Sequence, residues 1–318
     1  MRVFLLIPFL ALAWASDIPM CVPMDPHGHY RPSFEVGFEP HVQQPNYWVN
    51  SGSDFCVRPN ELVDTVVLHH TAMDIHQDGV DLNAAHINKP GGGWYMLGYH
   101  YVFGNVDEGK RWDGFLESIL TDPIIQEGRP GHLVGAHASA LMDKKDISPT
   151  VWSLLQDKGK IRCYKSSSPL YLQGAPRLLK NEEKIQQQIK NGNVRANITS
   201  IGIGVRGNLA KKSDENPEGY FPGSSHVLSE NMTLSTDRGL SYDIGRFICH
   251  LKKSKYPHLK KIWGHNTILK TAVWSNSGGT CCPGLIARYL PRIINVANHF
   301  CDGAFEVDIP EVSAECEL

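Results

Sequence analysis

The sequence has no strong excess of charge of either sign and, beyond its first residues, no long apolar run. Its 318 residues carry a formal net charge of -2, with 20% charged and 42% hydrophobic residues. A nearly neutral chain lacks the basic surface that nucleic acids or anionic membranes attract, so neither is an expected partner. After residue 15, no apolar stretch reaches the roughly 20 residues of a transmembrane helix, so no membrane span is expected. No internal repeat or long low-complexity tract is visible.

Residues 1–15 have the composition of a secretory signal peptide. Arg2 precedes an apolar run, and Ala13-Trp14-Ala15 has the small-x-small pattern of a cleavage site. The run is too short to span a bilayer, so we expect cleavage after Ala15, with an N-terminal membrane anchor as the alternative. The mature protein is therefore expected to be secreted or periplasmic.

Eight cysteines fit export, because disulfides persist in an oxidising compartment. The pairing of these cysteines cannot be read from the sequence. Residues 16–60 are rich in Pro, His and polar groups, which predicts an irregular leader that packs on the domain, with Cys21 and Cys56 as candidates to hold it. Residues 301–318 are predicted to form a C-terminal tail.

Between residues 61 and 300, short apolar runs alternate with amphipathic stretches. Thr65–His70 is a β-branched apolar run, which predicts a buried strand. The alternation predicts an α/β fold: a single domain with a central mixed sheet flanked by helices. A segment at about 143–196, rich in Lys, Ser and Gln, is predicted to be a long insertion. The other predicted strands are 99–103, 133–138, 201–205 and 261–265, and the predicted helices are 84–88, 177–190, 240–251 and 285–297.

Candidate metal ligands stand at or just beyond the ends of predicted strands. His69-His70 ends the first strand, His265 ends the last, and Cys282 directly precedes the C-terminal helix region. A catalytic zinc needs three protein ligands from His, Cys or carboxylate and one open position for water. Because rigid strand ends can aim side chains at one shared cleft, these residues predict a zinc site.

Six short motifs follow one another along the chain. They are His69-His70-Thr71-Ala72, Gly98-Tyr99-His100-Tyr101-Val102, Gly135-Ala136-His137-Ala138, Ser200-Ile201-Gly202-Ile203, Gly264-His265 and Thr280-Cys281-Cys282-Pro283-Gly284. This series resembles the type-2 N-acetylmuramoyl-L-alanine amidase family, which includes phage T7 lysozyme and the peptidoglycan recognition proteins. The resemblance covers about residues 60 to 300, interrupted by the segment at about 143–196.

The resemblance implies that His70, His265 and Cys282 hold Zn2+. The histidine directly before the Thr of the first motif is taken as the ligand, which selects His70 over His69. Neighbouring strand residues face opposite sides, so only one of the two should reach the site. The third ligand directly precedes Pro-Gly, which selects Cys282 over Cys281.

The resemblance also implies catalytic roles for Tyr99 and Thr280. Tyr99 would position the water or donate to the oxyanion, and Thr280 is a candidate oxyanion donor. Related enzymes that recycle anhydro-muropeptides use a Glu where this chain has Gly204, so the chain is similar to the Tyr/Thr branch. His137 is a candidate for binding a peptide or sugar of the substrate, with a structural histidine as the alternative.

These features predict zinc-dependent hydrolysis of the amide between N-acetylmuramic acid and L-alanine in peptidoglycan or muropeptides, through a zinc-activated water. A non-catalytic peptidoglycan-binding or sensing protein is one alternative, and a zinc hydrolase of another amide is a second. Animal recognition proteins of the family carry a cysteine pair soon after the first histidine motif, and residues 73–88 contain none. The sequence does not indicate the oligomeric state.

Overall fold

The structure, a computed structural model, describes residues 29–30, 41–43, 52–72, 79–90, 93–103, 124–157, 160–165, 175–206, 240–275, 282–284 and 286–307. The predicted signal peptide lies outside these ranges, as do much of the predicted leader and of the predicted C-terminal tail. Within them, every helix is too short or too polar to cross a bilayer.

The described strands are β1 (His29–Tyr30), β2 (His41–Gln43), β3 (Asp54–Val57), β4 (Thr65–His70), β5 (Tyr101–Phe103), β6 (Ile124–Glu127), β7 (Ala140–Asp143), β8 (Arg162–Lys165), β9 (Asn193–Arg195), β10 (Ser200–Val205), β11 (Lys261–Gly264) and β12 (Trp274–Ser275). The described α-helices are α1 (Gly79–Ile87), α2 (Pro149–Leu155), α3 (Leu179–Lys190), α4 (Ala196–Thr199), α5 (Leu240–Ser254), α6 (His265–Thr271) and α7 (Ile286–Phe300).

Two apolar runs, β4 and β10, form adjacent parallel strands in a mixed sheet, and every residue of both is buried. Strands covered on both faces contain few charged residues, which explains the apolar character of both runs. Across the described part of the chain, the large sheet has the order β1-β2-β6-β5-β10-β4-β11. β5 and β11 run parallel to their central neighbours, whereas β6 is antiparallel to β5. The predicted mixed central sheet flanked by helices is confirmed.

One face of this sheet, which we call the apolar face, packs against α5 and α7. On β4 it bears Val66 and Leu68, and these join the apolar stripes of both helices in one buried cluster. Phe247 on α5 lies at the centre of this layer, with ring centroids 5.1 Å from Tyr101 and 5.9 Å from Phe103. The helices predicted from periodicity near residues 240 and 285 are therefore confirmed, and the apolar stripes form the layer between them and the sheet.

The opposite face, which we call the site face, carries Val67 and His69 on β4, because side chains alternate along a strand. Val67 joins a second buried cluster with Trp263 and residues of α2, α3 and β9. Much of this cluster comes from residues 143–196, including the predicted helix that α3 confirms. The segment therefore supplies core to the site face, while its description as an insertion stays a prediction.

A buried carboxylate ties residues 143–196 to the start of β4. Asp64 accepts hydrogen bonds from the backbone N–H of Ser148 and the hydroxyl of Thr65, both at 2.7 Å. Lys261 lies 4.0 Å from the same carboxylate, and Asp64 is fully buried. A buried charge needs such partners, so these contacts fix the segment against the sheet.

Two disulfides fasten the described chain, Cys56–Cys163 and Cys249–Cys301. The first joins β3 to β8, its antiparallel partner, so Cys56 is bonded to the middle of the chain and not to Cys21. Cys21 lies outside the described residues. The two disulfides fit an oxidising extracellular environment.

Two predictions about local structure are wrong. Residues 133–138 were predicted to form a strand, yet their backbone amides bond separate segments: Val134 donates to Cys56, and Ala136 donates to Gly98. The strand of this region is β7, which begins at Ala140. The leader is also not irregular throughout, because β1, β2 and β3 lie within it. These strands are only two to four residues long, and β2 and β3 pair with strands far along the chain, so local composition does not reveal them.

Candidate metal centre

The candidate metal centre lies at the edge of the site face where two parallel strands end. His69 is the second-last residue of β4, and His265 begins α6 directly after β11. β4 and β11 are neighbours, so their carboxyl ends meet at one edge of the sheet. Cys282 lies in a turn before α7, and its carbonyl accepts the backbone N–H of Asn266 at 2.8 Å. This bond holds the turn against α6.

Three side chains from these elements offer donor atoms to one point. The ligand atoms of His69, His265 and Cys282 all lie within 4.8 Å of one another. His69 Nδ1 is 3.4 Å from Cys282 Sγ, and the His69 and His265 rings have centroids 4.5 Å apart. Two imidazoles and one thiolate form a ligand set that zinc accepts, so the donor chemistry fits this metal.

Burial keeps these three side chains uncharged in the absence of metal. It lowers the pKa of His69 well below its ordinary value, and nearby His265 and His137 lower it further. Burial, then His70, lower the pKa of His265 to about 4. Burial raises the pKa of the Cys282 thiol to about 12, opposed by a hydrogen bond from the His70 backbone. Neutral imidazole is the form that binds a metal, whereas the thiol must lose its proton on binding.

The structure brings His69 into the centre where the sequence analysis selected His70, and that choice is corrected here. Side chains alternate along a strand, so only one of His69 and His70 reaches the donor cluster. Val67 packs on the site face, and His69 is two residues further along the same face. His70 alternates with His69 and is in register with Val66 and Leu68, which pack on the apolar face. Among the described residues, the donor group therefore contains His69 in the place predicted for His70.

Tyr99 lies beside the donor cluster, and the catalytic role that the resemblance implies for it stays a prediction. Its ring centroid is 5.1 Å from that of His69. A Cβ atom at Gly204 would lie 2.8 Å from Cδ2 of the Tyr99 ring, so the missing side chain there leaves room for the tyrosine. Burial, and then the proximity of Cys282, raise the pKa of Tyr99. The phenol therefore keeps its proton at neutral pH and can donate a hydrogen bond.

His137 is buried behind the donor cluster, with 5% of its surface exposed. Its Nδ1 lies 3.2 Å from Nε2 of His69, and its Nε2 lies 3.4 Å from the hydroxyl of Ser200. Burial, followed by His265 and Arg58, lowers the pKa of His137 well below its ordinary value. With both ring nitrogens facing protein atoms, this placement favours the structural alternative, and substrate binding by His137 stays a prediction.

Two residues near the centre were missed in the sequence. His86 on α1 has its ring centroid 5.6 Å from Tyr99 and accepts the Gly98 N–H at Nδ1 at 3.1 Å. Nothing in the sequence distinguished His86 from the other histidines. Ser200 contacts His137, and its place at the start of the Ser-Ile-Gly-Ile motif was an available signal.

Thr280 and Cys281 lie outside the described residues, so the role predicted for Thr280 stays a prediction.

Comparison with known proteins adds little to this geometry. The chain is similar to the Ph2119 endolysin from Thermus scotoductus MAT2119 bacteriophage Ph2119, with a TM-score of 0.35 and 14% sequence identity. The similarity covers 76% of this chain and 88% of that chain. It is too low to support an argument about function. No family model matches the chain, and no curated protein matches it.

Proposed function

We propose that this protein is a zinc-dependent amidase that cleaves the bond between N-acetylmuramic acid and L-alanine in peptidoglycan. The observation that carries the proposal is the convergence of His69, His265 and Cys282 within 4.8 Å, with Tyr99 against His69. The six ordered motifs supply the substrate class, because they resemble the motifs of the type-2 amidases.

A donor group of three side chains fits the ligand number of a catalytic zinc site. Structural zinc sites use four protein ligands, whereas catalytic sites use three and leave one position for water. Among the described residues, three side chains form the donor group. When bound, zinc would act as a Lewis acid and lower the pKa of a water molecule.

The chain's own residues would then orient the substrate carbonyl and receive its developing charge. Tyr99 is the candidate donor to that charge, because its phenol keeps its proton and lies beside His69. Donors that are fixed before the reaction begins stabilise an oxyanion without reorganisation. Gly204 permits the position of Tyr99, which ties the glycine of this strand to the proposed chemistry.

The proposal is tested by metal removal. Purified protein is incubated with muramyl peptides, and release of peptides with a free L-alanine amine is measured. We expect release to stop after treatment with a chelator and to return when zinc is added. Peptidoglycan binding without release in the zinc-loaded protein would contradict the amidase and favour a sensing protein.

A matched pair of tyrosine variants tests the role of Tyr99. Tyr99→Phe should retain zinc and lose roughly 100-fold or more in turnover, the typical cost of removing one oxyanion donor. Tyr95→Phe removes a hydroxyl four positions away, from a ring stacked on Phe55 at 4.6 Å, and should leave turnover unchanged. Equal turnover in the Tyr99→Phe and Tyr95→Phe variants would contradict a catalytic role for Tyr99.

A further inference from the structure

A hydrogen-bonded series leads from the donor cluster into the protein. His69 Nε2 faces His137 Nδ1 at 3.2 Å, and His137 Nε2 faces the Ser200 hydroxyl at 3.4 Å. The Ser200 hydroxyl donates to the backbone carbonyl of Ala196 at 2.7 Å. The series therefore joins a candidate metal ligand to the carbonyl of a short helix, α4, on the site face.

The direction of each hydrogen bond in the series follows from the last one, which joins Ser200 to Ala196. The Ser200 hydroxyl has one hydrogen, and the Ala196 carbonyl takes it. Its oxygen can then only accept from His137, so the ring proton of His137 is on Nε2. His137 Nδ1 is consequently an acceptor, and the proton of His69 is on Nε2. This leaves His69 Nδ1 with a lone pair at 3.4 Å from Cys282 Sγ.

We propose that His137 is a positioning residue that fixes the ring orientation and tautomer of His69, so that Nδ1 of His69 is available to the metal. The inference rests on the proposed zinc site. Histidines that bind metals commonly donate their second ring N–H to a partner that fixes the tautomer. Here the partner is itself a histidine, and Ser200 determines which of its nitrogens accepts.

The site face is shaped to hold the His137 ring in this position. A Cβ atom at Gly202 would lie 2.5 Å from Cγ of His137, and one at Gly135 would lie 2.5 Å from its Cδ2. Any larger residue at either position would displace the ring. The two glycines therefore let the backbone approach the ring closely at two positions, which limits the space in which the ring can turn.

The neighbouring His100 shows what a histidine without this role looks like. Its Nδ1 accepts the Gly202 N–H at 3.0 Å, and its Nε2 faces the Leu133 carbonyl at 3.0 Å. Both nitrogens of His100 therefore meet backbone atoms, whereas one nitrogen of His137 meets a candidate ligand. His137 therefore differs from His100 at both nitrogens, because one meets a candidate ligand and the other meets a serine hydroxyl.

Two substitutions at His137 separate the hydrogen bond from the packing. His137→Ala removes the acceptor, and zinc affinity should fall by about 10- to 100-fold, as for other outer-shell partners of metal ligands. In His137→Asn the side-chain oxygen can take the place of Nδ1, so zinc affinity should stay close to that of the unaltered protein. Affinity is measured on the full chain by competition with a chromophoric chelator, and denaturant unfolding confirms that each variant is folded.

A second pair tests the direction of the bonds. Ser200→Ala should give a smaller loss of zinc affinity than His137→Ala, because His137 can then adopt either tautomer. Ser254 is a matched control: its hydroxyl also donates to the carbonyl four residues earlier, that of His250, and lies 3.0 Å from the His250 ring. Ser254 is exposed and far along α5, so Ser254→Ala should leave zinc affinity unchanged.

A metal-free measurement keeps this inference separate from the proposed function. Nitrogen chemical shifts of the zinc-free protein should show the His69 proton on Nε2, and a proton on Nδ1 would overturn the inference whether or not zinc binds. Equal zinc affinity in folded His137→Ala and the unaltered protein would also overturn it, as would equal losses in the Ala and Asn variants. Failure of the unaltered protein to bind zinc would instead refute the proposed function.

Discussion

On the apolar face of the sheet, β10 presents Ile201, Ile203 and Val205 to the helices α5 and α7. On the site face the same strand presents Ser200, Gly202 and Gly204, the smallest residues available. Alternation puts these two sets on opposite sides of one backbone. The first set fills volume, whereas the second leaves volume for His137 and Tyr99, whose rings lie against the two glycines.

The difference shows how one strand can serve stability and chemistry at once. Large apolar side chains stabilise the fold through burial, at about 25 cal/mol for each Å² removed from water. Rings that must hold a fixed position near a metal need a close backbone and few competing side chains. Substitutions on the two faces should therefore have different consequences, and three experiments test this.

The largest effect is expected on the site face, at the end of β4. His69→Ala should abolish zinc binding and amide hydrolysis, because it removes a candidate ligand. His70→Ala changes the next residue, which points towards the apolar face, and should keep stoichiometric zinc with some loss of stability because His70 is buried. Elemental analysis measures the zinc content of the two variants and so shows which histidine holds the metal. The reverse result would restore the choice of His70.

An intermediate effect is expected on the apolar face, at Phe247. Phe247→Ala removes a fully buried ring and should lower the free energy of unfolding by about 3–5 kcal/mol. Denaturant unfolding measures this loss. Zinc affinity and turnover per folded molecule should not change, because α5 lies across the sheet from the donor cluster. A fall in zinc affinity alongside the loss of stability would show that the two faces are coupled.

The smallest effects on stability are expected at the glycines of β10. Gly204→Ala and Gly202→Ala each introduce one methyl group, with an expected cost of about 1–3 kcal/mol from overpacking. The functional effects should differ, because Gly204 contacts Tyr99 and Gly202 contacts His137. We expect Gly204→Ala to lower turnover with zinc retained, and Gly202→Ala to weaken zinc binding. Identical profiles for the two variants would contradict separate roles for Tyr99 and His137.

Most of the fold was predictable because its central elements have strong local patterns. β4 is a continuous β-branched apolar run, as in a strand covered on both faces, and α5 has an apolar stripe with the period of a helix. The short strands were not predictable, because β2 and β3 pair with β6 and β8, far along the chain, and β1 is only two residues long. The pairing of Cys56 with Cys163 was hidden for the same reason: 107 residues separate the two cysteines.

The donor cluster was predictable to within one residue. His265 and Cys282 converge with a histidine of the first motif, as the motif order indicated. The sequence established that His69 and His70 face opposite sides, but it could not establish which side holds Cys282. That depends on how the turn at 282–284 packs against α6, which is a tertiary contact. The motif could mark Ser200, but not its partner His137, because their contact is also tertiary.

The placement of the two disulfides has a consequence for resistance to proteolysis. A single cut between residues 56 and 163, or between 249 and 301, leaves two fragments that a disulfide still joins. A cut between 164 and 248 leaves fragments that neither of these two bonds connects. His69 would then lie on one fragment, and His265 and Cys282 on the other. The donor cluster would then depend on contacts between the fragments, such as the pairing of β4 with β11 and the packing of α5 and α7 on the apolar face.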